Sequence, residues 1–170
     1  MIQLTPVAMA DDAMKDLYNE AFPLEERRPW PLQEQLIAAD RLRMLRITSN
    51  AAFAGFVFYW QLPDFYFIEH FAVHPSARGG GAGTQVMQLL EKQLQVIVLE
   101  VEPPVTTPAI RRINFYERLG YQTFPDRYQQ PAYYPQFPPL ELRIMYKGLS
   151  PETMSFSKIK SQLYQYIYNQ

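Results

Sequence analysis

Arg78-Gly79-Gly80-Gly81-Ala82-Gly83 holds four of the seven glycines in a 170-residue chain. An even spread would put about 0.2 of a glycine in a five-residue window, so the backbone here meets a demand that side chains would obstruct. Upstream, Phe65 to Val73 reads as a long strand rich in aromatic and β-branched residues. Downstream, Thr84 to about Leu94 sets Val86, Met87, Leu90 and Leu94 on one helical face. A glycine turn between a strand and a helix leaves the first N–H groups of the helix without internal partners. Glycine admits a ligand close to those groups, and the helix dipole favours negative charge there. Such a turn suits a phosphate or pyrophosphate. Register excludes two nucleotide loops. The triphosphate loop needs Gly-Lys-Ser/Thr, and Gly83 is followed by Thr84-Gln85. The dinucleotide fingerprint needs a third glycine where this chain has Thr84 or Val86.

Outward from the window, the chain alternates strand and helix patterns. Ile2 to Val7 reads as a first strand, and Asp11-Asp12 caps a helix to about Glu20. Phe22 to Pro31 is a charged loop closed by proline, with a short helix beginning near Pro31. Arg41 to Thr48 and Ala51 to Trp60 form a hairpin about Ser49-Asn50. After the window helix, Val96 to Val101 is a near-continuous apolar run, expected of a strand covered on both faces. Pro108 to Leu119 is helical and stops at Gly120. Tyr121 to Phe124 and Leu140 to Lys147 are strand-like, separated by a Pro/Tyr-rich loop, and Phe156 to Tyr168 suits an added helix. The expectation is one α/β domain over 1–148 with a helical extension over 149–170 packed on it.

Composition removes several classes of function. Sixteen basic and seventeen acidic residues give a formal charge of −1, with no general attraction to nucleic acid or anionic membrane. The longest apolar run, Ala51 to Trp60, has ten residues, half of a membrane span. Met1 to Pro6 lacks a signal-peptide pattern, so a cytoplasmic location is expected. With no cysteine and only His70 and His74, no metal site is expected, and a cysteine nucleophile is excluded.

The six-residue window matches Arg/Gln-x-x-Gly-x-Gly/Ala, and Phe71-Ala72-Val73-His74-Pro75 precedes it. Together these resemble the acyl-coenzyme-A binding segment of the GNAT superfamily of N-acetyltransferases. Phe115-Tyr116-Glu117-Arg118-Leu119-Gly120-Tyr121, one strand and one helix later, resembles a second segment of that family. The resemblance covers about residues 66–124 and implies a central, mostly antiparallel mixed sheet flanked by helices. It implies that backbone amides of Gly79, Gly80, Gly81, Ala82, Gly83 and Thr84 hold the pyrophosphate of acetyl-CoA, with Arg78 adding charge or ordering the loop. It also implies that the backbone of Phe71, Ala72 and Val73 bonds the pantetheine arm where two parallel strands splay apart. Two family positions differ: seven and four residues before Tyr116, the family's asparagine and alanine are here Ala109 and Arg112. Arg111 or Arg112 is then a candidate for a coenzyme phosphate, or simply a solvated basic face.

Acetyl transfer to an amine needs a proton acceptor and a donor to the leaving thiol. Simple alternation sets Glu69 on a strand face with Phe67, Phe71 and Val73, where desolvation would raise its pKa toward that of a base. The competing reading is a structural glutamate paired with an arginine. His70 then points to the opposite face as a structural histidine, and His74 is a turn residue. Tyr116 is the candidate acid, the resemblance implying that its hydroxyl reaches the sulfur; packing on the stripe of Ile113 and Leu119 is its plainer role. The acceptor side is assigned to Glu25, Glu26 and Arg28 of the first loop and to Tyr133 of the proline-rich loop, walls for a small-molecule or peptide amine. Two rivals stay open: a non-catalytic acyl-CoA-binding module, and a tail whose tyrosines bury against a partner or a second copy in a homodimer.

Overall fold

The computed structural model describes residues 1–169; Gln170 of the expected extension lies outside them. Eight strands form a sheet system: β1 (Ile2–Pro6), β2 (Leu42–Ser49), β3 (Ala52–Gln61), β4 (Tyr66–Val73), β5 (Ile97–Val101), β6 (Gln122–Thr123), β7 (Tyr128–Gln130) and β8 (Leu140–Lys147). The order runs β1-β2-β3-β4-β5-β8-β6, with β7 also paired to β8. All pairings are antiparallel except β4 with β5. The helices are α1 (Asp12–Ala21), α2 (Trp30–Ala38), α3 (Ala82–Leu94), α4 (Thr107–Arg118) and α5 (Phe156–Gln162). This is the expected mixed, mostly antiparallel architecture with its added C-terminal helix.

Local chemistry explains the element ends. The Asp11 carboxylate accepts the Met14 N–H at 2.9 Å and starts α1, and the Thr106 hydroxyl accepts the Ala109 N–H at 3.2 Å and starts α4. Asn50 and Ala51 both adopt positive φ, 49° and 69°, giving the tight two-residue turn between β2 and β3. The sheet divides the core. One face packs Phe56, Phe58, Phe67 and Val98 against Met14, Leu17 and Tyr18 of α1 and against Ile159, Leu163 and Ile167 near the C-terminus. The other packs Val57, Ile68 and Leu99 against Val86, Met87 and Leu90 of α3 and Ile113 and Tyr116 of α4.

Two departures from the sequence expectations shape the site. The first is a bulge in β4: Phe58 pairs with His70 and Tyr59 with Ile68, so Glu69 has no opposite residue. The extra residue breaks strict alternation. Phe71 joins the α3/α4 face, but Glu69 and His70 both turn toward the α1 face, where they meet Trp60 and Tyr18 respectively. The second is the C-terminal segment. α5 ends at Gln162, and Leu163–Tyr168 continues as a π-helix. Strand β7, inside the proline-rich loop, was not apparent in the residue pattern.

Candidate active site

β4 and β5 run parallel and pair only from Tyr66↔Ile97 to Ile68↔Leu99. Beyond Ile68 they separate, leaving the β5-facing edge of Glu69 to Val73 without a strand partner. At the end of this edge the glycine window turns into α3. Gly81 is the N-cap, in the left-handed region at φ 75°, and no side chain caps the helix. The first intrahelical bond runs from the Gln85 N–H to the Gly81 carbonyl, so the amides of Ala82, Gly83 and Thr84 lie ahead of the ladder. A methyl added at Gly79, Gly80 or Gly81 would meet nothing within 4 Å, whereas at Gly83 it would press on the Phe115 ring at 3.4 Å. Gly79 and Gly81 answer to positive φ, 84° and 75°, whereas Gly80 is required by neither backbone conformation nor packing. Arg78 donates from Nε to the Val73 carbonyl at 2.9 Å, tying the loop to the strand end. A cavity of about 460 Å³ is lined by Phe71, Ala72, Val73, Arg78 and Arg112 together with Glu20 and its neighbours at the end of α1. Backbone donors, an unpaired strand edge and two arginines fit a phosphorylated, amide-bearing arm such as that of coenzyme A.

Beside the splay lies a small cavity of about 50 Å³, lined by Glu26, Glu69, His70, Glu100, Glu102, Arg112 and Tyr133 among others. Glu69, the candidate base, is found paired with an arginine. Its side chain is 1 % exposed, and its Oε1 lies 2.5 Å from Arg28 Nη1. The Trp60 indole N–H donates to Oε2 and the Tyr133 hydroxyl to Oε1, each at 2.7 Å. Burial alone would raise its pKa, but the Arg28 charge, His70 and these donors outweigh burial and hold it at about 2. A carboxylate so firmly ionised is a weak proton acceptor. Arg28, expected on the acceptor side, is 4 % exposed, with its guanidinium over the Trp60 and Tyr133 rings at 5.3 and 4.7 Å, and its charged form is favoured by Glu69 against the cost of burial.

The residue that sequence reasoning passed over is Glu100. Hidden in the apolar run of β5, it shares the face of Val98 and lies in the same small cavity as Glu69. Burial pushes its pKa up to about 8, and hydroxyl donation by Tyr128 and Tyr168 only partly offsets that. The Tyr168 hydroxyl sits 3.0 and 2.9 Å from its two oxygens, and the Tyr128 hydroxyl donates to Oε1. The available signal was a lone carboxylate inside a strand that must be covered on both faces. Glu26 is also raised, to about 7, by burial and then by neighbouring Glu102. His70, 2 % exposed, has its Nε2 2.8 Å from the Glu26 carbonyl, and burial lowers its pKa against the opposing pull of Glu69.

Glu25 is exposed and does not line the small cavity, unlike Glu26 and Tyr133. Tyr116 is 7 % exposed on the α3/α4 face, and its hydroxyl forms no hydrogen bond among the described residues. Burial raises its pKa to about 12, so it carries its proton at neutral pH. It makes no contact with Glu69, which lies across the sheet. Among the described residues no three-member group of metal-ligating side chains occurs, and no helix is long and apolar enough to cross a membrane.

A family model for the acetyltransferase (GNAT) family matches residues 11–121, and the chain belongs to that family. Among solved structures, a protein of Bacteroides thetaiotaomicron assigned as a GNAT-family acetyltransferase is 32% identical, with a TM-score of 0.92 over 99% of each chain. A Bacillus subtilis acetyltransferase in complex with CoA shares the fold at 15% identity, TM-score 0.64, over 88% of this chain and 100% of that one. The ribosomal-protein-S18-alanine N-acetyltransferase of Escherichia coli shares it at 20% identity, TM-score 0.56, over 92% and 100%. No curated protein matches the chain.

Proposed function

We propose that this protein transfers an acetyl group from acetyl-CoA to a primary amine of a small molecule or peptide by direct attack. The observation that carries the reading is the uncapped glycine N-terminus of α3 at the end of a strand edge left unpaired by the β4/β5 splay. Amides of Gly79 to Thr84 hold the pyrophosphate, Arg78 and Arg112 add charge, and Phe71 to Val73 bond the pantetheine arm. Acetyl-CoA supplies an activated thioester carbonyl. With no cysteine in the chain, no cysteinyl intermediate forms, and the amine attacks directly. Glu100, in place of Glu69, accepts the amine proton, and Tyr116 holds the proton that the departing thiolate needs. Glu26 and Glu102 draw the cationic amine to the small cavity. Glu69 keeps Arg28, Trp60 and Tyr133 in register beneath it.

The test is release of free thiol from acetyl-CoA against a panel of amines, amino acids and peptides. Thiol is expected only when an acceptor is present, and the cysteine-free chain adds no background. Binding of CoA with no turnover on any amine would reduce the reading to an acyl-CoA-binding module, and no binding of CoA would sink it.

A further inference from the structure

The C-terminal segment Leu163–Tyr168 does more than cover the sheet. It winds as a π-helix, a form that is rare and concentrated at functional sites. Leu163 and Ile167 are 0 % and 3 % exposed in the core. Two arginines from elsewhere in the chain grip its carbonyls: Arg28 Nη2 donates to Ile167 at 3.3 Å and Arg41 Nη2 to Tyr166 at 3.0 Å. The Tyr168 ring packs 5.7 Å from that of Tyr133. This anchoring delivers one polar group to the site, the Tyr168 hydroxyl, at 3.0 and 2.9 Å from the two Glu100 oxygens. Packing alone explains the ring but not a hydroxyl centred on a buried carboxyl.

We propose that Tyr168 is a positioning residue that clamps the Glu100 carboxyl for acyl transfer, so that the C-terminal segment is a working part of the active site. The proposal rests on the reading of Glu100 as the proton acceptor. A single O–H proton shared between two oxygens fixes rotation of the carboxyl group, and Tyr128 holds Oε1 from β7. Other groups facing Glu100 are Glu69 of β4, Arg28 and Glu26 of the first loop, Tyr133 of the proline-rich loop, Tyr164, and Glu102 and Arg112 beside the cavity. His70 lines the same cavity, and among the described residues the hydrogen bonds to Glu100 come instead from the Tyr128 and Tyr168 hydroxyls. Donation to the ionised form stabilises it, so each hydroxyl makes Glu100 ionise at lower pH than burial alone would allow.

Tyr168→Phe removes the donor and keeps the ring. Glu100 is titrated by carboxyl carbon NMR in wild type and variant, with Glu100→Gln assigning its signal, and circular dichroism verifies the fold. Where the thiol-release panel yields an acceptor, kcat/KM is also followed against pH. Loss of one charge-assisted hydrogen bond is expected to move the Glu100 titration, and the acid limb of the profile, up by about one pH unit. At any pH below that limb the rate falls about ten-fold. A folded Tyr168→Phe protein with an unmoved Glu100 titration overturns the proposal, with or without an acceptor. The two failures are distinguishable: if Glu100→Gln turns over like wild type, the reading of Glu100 as base falls. If Glu100→Gln is inactive while Tyr168→Phe keeps the wild-type limb, only the role of Tyr168 falls.

Discussion

Two carboxylates in one small cavity are driven in opposite directions by their neighbours. Glu69 faces a guanidinium and two donors and is held at about 2, whereas Glu100 is hydrogen-bonded by hydroxyls alone and burial lifts it to about 8. Their linkage to stability has opposite signs. Glu69, depressed in the fold, contributes stability that is present above its unfolded pKa near 4.5 and is lost as pH falls toward 2. Glu100, raised in the fold, lowers stability as pH climbs from about 4.5 to about 8. Glu100→Gln is therefore expected to raise Tm by about 5 °C at pH 9 while slowing acyl transfer by about 10²–10⁴. Thermal melts at pH 5 and pH 9 check the first effect, which should be absent at pH 5 if Glu100 is neutral there. Arg28→Met strands the buried Glu69 charge and should cost about 3–5 kcal/mol. Adding Glu69→Gln, which keeps an acceptor for Trp60 and Tyr133, should recover most of that in urea titrations.

At the scale of elements, the turn before α3 separates ligand binding from folding. Gly80→Ala meets no atom within 4 Å and needs no positive φ, so stability should stay within about 0.5 kcal/mol. On the proposed pyrophosphate contact, affinity for CoA, read by calorimetry, should nevertheless weaken about ten-fold. Gly81→Ala adds a fold cost of about 1 kcal/mol, since its φ of 75° strains any residue with a Cβ. The turn itself was legible in the sequence because its signal is local: consecutive glycines between two patterned elements. Glu69 was legible in place but not in orientation. Alternation assumes that every residue of a strand takes a partner, and the bulge opposite Phe58 and Tyr59 breaks that assumption. β7 escaped because three residues, Tyr128 to Gln130, carry too short a pattern to stand out from a proline-rich loop.

Across the whole molecule, what the residue pattern could not convey is closure between distant segments. Arg28 bonds the Ile167 carbonyl, 139 residues away, and Tyr168 reaches Glu100 across 68. Neither contact leaves a periodic trace, so the tail reads as an added helix and not as a segment that reaches Glu100. Its packing supplies three buried side chains, Ile159, Leu163 and Ile167. At about 1.5–3 kcal/mol for each, truncation after Gly148 is expected to abolish the cooperative melt in calorimetry. A truncated protein with an unchanged Tm would mean that the extension merely rests on the domain.

One arrangement also turns the protein into its own indicator. The chain has two tryptophans, and Trp60 donates its indole N–H to the Glu69 carboxylate while the Arg28 guanidinium lies over its ring. An indole between a fixed anion and a fixed cation sits in a strong local electric field, and its emission wavelength follows that field. With Trp30 replaced by phenylalanine, any change in charge in the adjoining cavity becomes a colour shift from a single chromophore. Protonation of Glu100 and arrival of an ammonium group should then each be readable from the emission spectrum, in unlabelled protein.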